Sequence, residues 1–205
     1  KLIVFGATGG TGLETIRQAL AREHAVTAFV RTPDKLALAN ESLSVVVGDV
    51  LNPTSVAEAI QDQDAVICAL GSSELKKTSI RATGTTNIIQ GMEQHGVERL
   101  LVVSAMGIGE SWDSLSAINK FLFAVVLKSA RDDHEAQEQL VMDSNLDWTI
   151  VRPSGLIDEA HTCEYEVGEN IPAQTSRISR AAVADFMLKE LQTNAWIGKA
   201  VTISN

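Results

Sequence analysis

Short apolar runs alternate along this chain with longer stretches in which apolar side chains recur every three or four residues. The runs at 1–6, 25–31, 43–48, 64–70, 97–103, 147–151 and 199–204 predict strands, and 11–23, 53–61, 77–95, 114–143 (with or without a break) and 179–192 predict helices. A four-residue run such as Leu2–Phe5 reads as a parallel strand buried on both faces. In the helix after it, Leu13, Ile16 and Leu20 share one face. Val45–Val47 reads as a third buried strand. The punctuation agrees: Asn52-Pro53-Thr54 places a proline in a first turn, His95-Gly96 ends a helix on a left-handed residue, and Asn145 offers the same before 147–151. Strand–helix alternation means βαβ units and a parallel sheet. With 205 residues and no repeat or linker, 1–205 is read as one domain. Only 152–178 is less regular, and it is expected to form a small lobe over the carboxyl edge of the sheet.

The first strand runs straight into Gly6-Ala7-Thr8-Gly9-Gly10-Thr11-Gly12 and a helix. Backbone N–H groups at such a turn, aimed by a helix N-terminus, cradle a pyrophosphate. Gly6 allows the tight turn, Gly9 the approach of the phosphates and Gly12 close helix–strand packing. Gly10 lies in the same turn, and Thr8 and Thr11 offer hydroxyls nearby. A glycine-rich turn that binds nothing is the alternative.

At the end of the second strand, where an NAD-binding unit commonly holds an acidic residue on the ribose 2′-OH, this chain has Arg31, with Lys35 one turn on. A guanidinium grips a 2′-phosphate that a carboxylate would repel, so the pattern favours NADPH over NADH. Solvated surface bases are the alternative. Asp34, the dissonant charge, is expected to cap the short helix that follows. Gly48-Asp49-Val50 ends the third strand, with Asp49 and the Val50 backbone placed to meet an adenine ring; Asp49 as a turn cap ahead of Asn52-Pro53 is the other reading. Leu70 and Gly71 close the fourth strand and leave room for a ribose or phosphate.

Charge and composition narrow the partners. A formal net charge of −9 argues against broad nucleic-acid binding. Basic clusters such as Arg31 with Lys35, or Lys76, Lys77 and Arg81, are therefore local features. Cys68 lies in an apolar strand and reads as a buried hydrophobe; with Cys163 it makes neither a disulfide framework nor a metal motif. The histidines at 24, 95, 134 and 161 are scattered, so no metal is expected. A reducing, cytoplasmic setting fits, with no signal peptide. The longest apolar run, Phe121–Leu127, is too short to cross a bilayer, so no membrane is expected. The abrupt start on a strand suggests that an initiator methionine and little else is missing.

Gly6–Gly12, Val30-Arg31, Gly48-Asp49-Val50, Ala69-Leu70-Gly71, Val103-Ser104-Ala105 and Val151-Arg152-Pro153-Ser154-Gly155 fall in the order and spacing of a known group. Over essentially its whole length the chain resembles the atypical short-chain dehydrogenase/reductases. Within these it resembles the NmrA-like branch, and most closely the biliverdin reductase B (flavin reductase) type. Asp132-Asp133-His134 and Arg177-Ile178-Ser179 are further similar stretches. The resemblance implies a single-domain α/β fold of Rossmann type: a doubly wound parallel sheet with a small substrate-side lobe. It also implies NADP(H) as cofactor, hydride transfer to flavins or linear tetrapyrroles, and a monomer. Gly6, Thr8, Gly9, Thr11, Arg31, Lys35, Asp49, Val50, Leu70 and Gly71 match its cofactor-contacting positions, and Ser104 matches its active-site serine. Lys35 stands in place of an arginine. Gly155 stands in place of a histidine, and the segment after Ser104 carries Gly107, Gly109 and Trp112 in place of an apolar stretch. Both of the latter changes bear on the acceptor.

Ligands of doubly wound sheets bind beyond the carboxyl strand ends, where Ser104 can bond a nicotinamide carboxamide or a substrate carbonyl, or be a simple turn serine. Pro153 and Ser154 are expected to flank the nicotinamide. The Tyr-x3-Lys pair of typical short-chain dehydrogenases is missing: Tyr165 is the only tyrosine, and Glu169 follows it at the lysine position. A ketone needs a placed general acid for its alkoxide, whereas a flavin, quinone or bilin delocalises the incoming charge and can be protonated by water. Planar conjugated acceptors are therefore favoured. Met106, Ile108, Trp112, Phe121, Phe123 and Gly155 are candidate pocket walls, although Phe121 and Phe123 read equally as core. Lys128, Arg131 and His134 could meet acidic groups of the acceptor; Arg131 with Asp132, Glu135 and Glu138 reads equally as a solvated helix face. An NADP(H)-sensing regulatory or assembly protein without turnover, or a quinone reductase, is the alternative function.

Overall fold

Leu2–Phe5 forms β1 with all four side chains buried, and their alternation divides the interior in two. Leu2 and Val4 enter a cluster with Ile16, Ile67, Leu101, Val151 and Phe186. Ile3 and Phe5 enter another, with Val56, Ile60, Cys68, Ile88, Met92 and Leu100. A strand covered on both faces must be apolar at every position, which is why this stretch carries no polar residue. The computed structural model describes residues 1–71, 79–109, 128–159, 164–169, 171 and 177–205.

After β1 come α1 (Gly10–Ala21), β2 (Val26–Val30), β3 (Leu43–Val47), α2 (Pro53–Ile60), β4 (Ala65–Cys68), α3 (Ile80–His95), β5 (Arg99–Val103), α4 (Lys128–Met142), β6 (Asp147–Pro153), β7 (Gly155–Ile157), β8 (Glu166–Gly168), β9 (Arg177–Ser179), α5 (Arg180–Thr193) and β10 (Lys199–Ser204). The main sheet runs in the order β3-β2-β1-β4-β5-β6-β10-β8. Its pairings are parallel except that of β8 with β10. Residues of α1 and α5 fill the cluster on the Leu2 side, and residues of α2, α3 and α4 the one on the Phe5 side. Helices on both faces of a parallel sheet make a doubly wound α/β fold of Rossmann type. The strand order reverses between β1 and β4, which sets the ligand crevice at their carboxyl ends.

Local chemistry explains most boundaries. On α1, Ile16 is fully buried while Leu13 and Leu20 pack beside it; burial of such a side chain contributes on the order of 1.5–3 kcal/mol. Asn52 caps α2, its side chain accepting from the backbone N–H groups of Thr54 and Ser55, with Pro53 at the first helical position. Gly96 closes α3 at φ +67°.

Several expectations are corrected. β3 is not buried: it lies at the sheet edge beside β2, and Val45 and Val47 are 43% and 61% exposed. Its valines satisfy strand propensity, and an edge position lacks a second neighbour to cover them. The described residues of 152–178 hold more strand than expected. β6 continues to Pro153, β7 pairs in parallel with β9, and β8 joins the main sheet. Strands of three residues are too short to show periodicity. Asn145 is not left-handed; Asn194, at φ +52°, plays that part at the end of α5. Asp34 does not cap a helix but lies inside a 3-10 turn, Pro33–Lys35. The α3 helix begins at Ile80 within the expected 77–95, and α4 is described from Lys128 within the expected 114–143. Trp112, Phe121, Phe123, Lys76, Lys77, His161 and Cys163 lie outside the described residues.

Candidate functional site

The parallel strands β1 to β6 deliver their carboxyl ends to one edge, and most of the residues singled out in the sequence gather there. Gly6 adopts φ +80°, and a Cβ on it would lie 2.2 Å from the Ala69 carbonyl oxygen. A Cβ on Gly12 would lie 2.3 Å from the Gly6 carbonyl oxygen. These are backbone contacts that no side-chain movement relieves, so both positions admit only glycine. The turn is closed by the Gly9 N–H donating to the Gly6 carbonyl at 2.9 Å. Gly9 is the N-cap of α1 and supplies no side-chain cap, while Thr8, Gly9 and Gly10 are exposed. The first N–H groups of α1 are thus open to an anion, and a dinucleotide diphosphate fits this cradle. Thr11 is largely buried at 8% exposure.

Arg31 precedes the 3-10 turn after β2 and Lys35 ends it; both are exposed, and neither makes an ion pair with another described residue. Asp49 is exposed, and its Oδ1 accepts the Leu51 N–H at 3.0 Å, so one carboxylate oxygen shapes a turn as the second reading anticipated. Val50 is buried, and its carbonyl accepts from the Asn87 side-chain amide at 2.8 Å. Gly84 explains how α3 comes so near: a Cβ there would meet Leu70 Cδ1 at 2.7 Å and Val50 Cγ2 at 3.0 Å. The loops after β3 and β4 therefore both rest on α3, a support that nothing in the local sequence around Val50 announces.

Ser104 directly follows β5, buried at 4% exposure, its backbone N–H donating to the Val151 carbonyl. Its Oγ lies 3.3 Å from Nδ1 of His134 on α4. Burial, reinforced by the nearby Arg81 guanidinium, pushes the His134 pKa down to about 3. The imidazole is therefore neutral, and its tautomer sets which of the two groups donates in the Ser104–His134 hydrogen bond. The unfolded histidine takes up its proton near 6.5 and the folded one only near 3, so this group makes stability fall as pH drops from about 6.5 towards 3. His134 is thus aimed at the serine from 30 residues further along the chain, a separation that leaves no local signal in the sequence.

The Asp132-Asp133-His134 run divides its work. Asp132 lies 4.0 Å from Lys128 on the exposed face, whereas buried Asp133 caps α3 by accepting the backbone N–H groups of Arg81 and Ala82. Arg81 reaches back to Asp133 at 3.4 Å and towards Gly71, where a Cβ would lie 3.8 Å from its NH2. Arg131 pairs with Glu135 as a surface pair, in accord with the solvated-face reading. Glu138 is the correction: it is buried and holds Arg152 of β6 through two hydrogen bonds, Nε to Oε1 at 3.1 Å and NH2 to Oε2 at 2.7 Å. The same guanidinium backs onto Gly109, at φ +54°, in the loop after Ser104. A signal existed, since an arginine inside the apolar run 149–153 demands a buried partner.

Pro153 is buried, and its carbonyl accepts the Met106 N–H at 2.9 Å. Ser154 is also buried, with an Oγ that has no hydrogen-bond partner, the one unsatisfied hydroxyl described on this stretch. Met106 and Ile108 are buried at 7% and 1%, so they support the loop more than they face solvent, while Gly155 is exposed. Tyr165 is engaged with α5. It donates to Asp185 Oδ2 at 2.7 Å, meets Phe186 edge-on, and is pushed up to about 12, first by burial and then by that carboxylate. Cys68 is buried as expected, and burial pushes its thiol up. Among the described residues there is no group of three His, Cys, Asp or Glu able to hold a metal, and no helix long and apolar enough to cross a membrane.

Comparison with known proteins adds three findings. The family profile described as NAD(P)H-binding matches residues 6–194. Curated relatives include an uncharacterised chloroplastic protein of Arabidopsis thaliana, 30% identical over 93% of this chain and 71% of its own length. They also include the photosystem II assembly factor Ycf39 of Synechocystis, 23% identical over 95% of this chain and 59% of its own length. Among solved structures, ChuY of Escherichia coli, described as an anaerobilin reductase, superposes with a TM-score of 0.83 at 26% identity, covering 99% of this chain and 96% of that one.

Proposed function

Because the chain belongs to the NAD(P)H-binding family, we propose that it is an NADPH-dependent reductase whose acceptor is a planar conjugated molecule, a linear tetrapyrrole or a flavin such as FMN. The observation that carries this reading is the buried Ser104–His134 pair at the carboxyl end of β5, with the only tyrosine engaged elsewhere. NADPH, when bound, would supply the hydride, and the proton that completes the reduction would come from solvent. The protein's own part is positioning. Gly6 and Gly12 leave room for the diphosphate, Arg31 and Lys35 attract the 2′-phosphate, and Asp49 and Val50 border the adenine. Leu70 and Gly71 border the ribose, and Pro153 and Ser154 flank the nicotinamide. Ser104, held by neutral His134, orients the carboxamide or the acceptor carbonyl. The tetrapyrrole choice is supported by the description of ChuY. A reducing, cytoplasm-like setting and a monomeric state belong to the same proposal.

A second reading, a nucleotide-binding assembly protein without turnover, is favoured by the likeness to Ycf39. The two separate when NADPH oxidation is followed with biliverdin, FMN and a quinone. Turnover on biliverdin or FMN supports the reductase; tight NADPH binding with no oxidation on any acceptor overturns it.

Two substitutions probe the residues. Arg31→Ala is expected to lower NADPH affinity about tenfold or more, the scale of one charge-assisted contact, while leaving NADH affinity unchanged. An unaltered NADPH/NADH ratio in calorimetry removes Arg31 from recognition. Ser104→Ala is expected to slow single-turnover hydride transfer about 10-fold or more with NADPH binding nearly intact. The parent enzyme should show no break near pH 6.5, because His134 stays neutral until about pH 3. An undiminished rate in Ser104→Ala would exclude the serine.

A further inference from the structure

The start of α1 is not covered by solvent alone. A Cβ on Gly10 would lie 2.6 Å from Cδ and 2.7 Å from Nε of Arg180, so the Arg180 side chain crosses directly over the glycine turn. Arg180 is the first residue of α5, next to the Ser179 cap, and its NH1 donates to Asp158 Oδ1 at 2.7 Å. Asp158 follows β7 and is 83% exposed, while the Arg180 side chain is only 27% exposed.

This placement runs against helix electrostatics. The amino ends of α1 and α5 each carry a partial positive charge, and an arginine in a first turn is disfavoured there. Here the guanidinium sits in the first turn of one helix and against the first residue of another, in a chain whose net charge is −9. The pair with an exposed carboxylate compensates little, because such pairs are screened by solvent. Positive potential concentrated this way is balanced by a dianionic ligand group in the turn, the same turn whose open N–H groups and glycine-only contacts fit a diphosphate.

We propose that Arg180 is a further cofactor-positioning residue that grips the diphosphate of the bound dinucleotide, and that Asp158 holds the guanidinium in the free protein and competes with the phosphates for it. The inference rests on the NADP(H)-binding part of the proposed function and adds a residue and a competition to it. Arg180 acts on the diphosphate, which NADPH, NADH and ADP-ribose share, whereas Arg31 acts on the 2′-phosphate. The two arginines therefore have separable signatures. Breaking the Asp158–Arg180 pair also releases a tie between α5 and the β7 side of the site, so cofactor occupancy reaches the region where Gly155 lies.

The test is calorimetric titration of the full chain and of Arg180→Ala, Arg180→Lys and Asp158→Asn with NADPH, NADH, ADP-ribose and adenosine 2′-monophosphate. Arg180→Ala is expected to weaken the first three ligands alike, by about tenfold, and to leave the monophosphate unchanged. Arg180→Lys should restore part of the loss, and Asp158→Asn, at an exposed position, should tighten the three diphosphates several-fold. Unchanged or tighter binding by Arg180→Ala, or a loss confined to NADPH, overturns the proposal while leaving the cofactor reading intact. Failure of the unsubstituted chain to bind NADPH overturns both, and binding without turnover on any acceptor overturns only the reductase.

Discussion

Glu138→Ala is expected to cost about 3–5 kcal/mol, because it strands the Arg152 guanidinium in the interior without a counter-charge. The two side chains are 2% and 4% exposed, so water cannot substitute for the lost carboxylate. For a domain of this size that corresponds to a fall in Tm on the order of 10 °C. The double variant Glu138→Ala/Arg152→Met should recover most of the loss, since it removes the orphaned charge along with its partner. Thermal denaturation followed by circular dichroism checks both. A single variant within about 1 kcal/mol of the parent would mean that the pair contributes no more than a surface bridge. The loss should also reach the site, because Arg152 backs Gly109 in the loop after Ser104.

Gly12→Ala should abolish measurable NAD(P)H binding, a loss of at least about 100-fold, since a misplacement of about 1 Å at such a site has that effect. The added methyl would lie 2.3 Å from the Gly6 carbonyl oxygen and 2.9 Å from its carbonyl carbon. Gly6 cannot retreat, because on its other side it already abuts the Ala69 carbonyl. The α1 helix must therefore shift away from β1, and the N–H groups that face the diphosphate shift with it. Gly96→Ala is the control. Its φ of +67° also disfavours a side chain, but nothing lies within 4 Å, so it should cost roughly 1–3 kcal/mol of stability and leave affinity unchanged. Fluorescence titration with NADPH on the folded variants decides. Equal affinities for Gly12→Ala and the parent would remove the close-packed turn from the account.

Much of the cofactor side was legible in the chain because it is local. Gly6 to Gly12 form one continuous turn between one strand and one helix, and the constraints on it arise within seven residues. Arg31 and Lys35 are likewise defined by the strand end they follow. The hydride-transfer side was legible only in part. Ser104 is marked by its strand end, but its partner lies 30 residues away on another element. Asn87, which pins Val50, and Asp133, which caps α3, are separated from their partners by 37 and about 50 residues. Glu138 looked solvent-facing because its neighbours Arg131 and Glu135 are, and a buried stripe on a polar helix leaves little trace in periodicity.

What the sequence determined alone was the alternation of strand and helix, the parallel character of the sheet and the phosphate turn. These follow from local sterics and from apolar patterns whose period is set by the backbone itself. Only the tertiary structure decided that β3 is an edge, that 152–178 contributes strands, that His134 faces Ser104, and that Arg180 lies over Gly10. Each depends on which elements become neighbours when two clusters bury apolar surface against opposite faces of one sheet, and that choice is made by packing between distant segments.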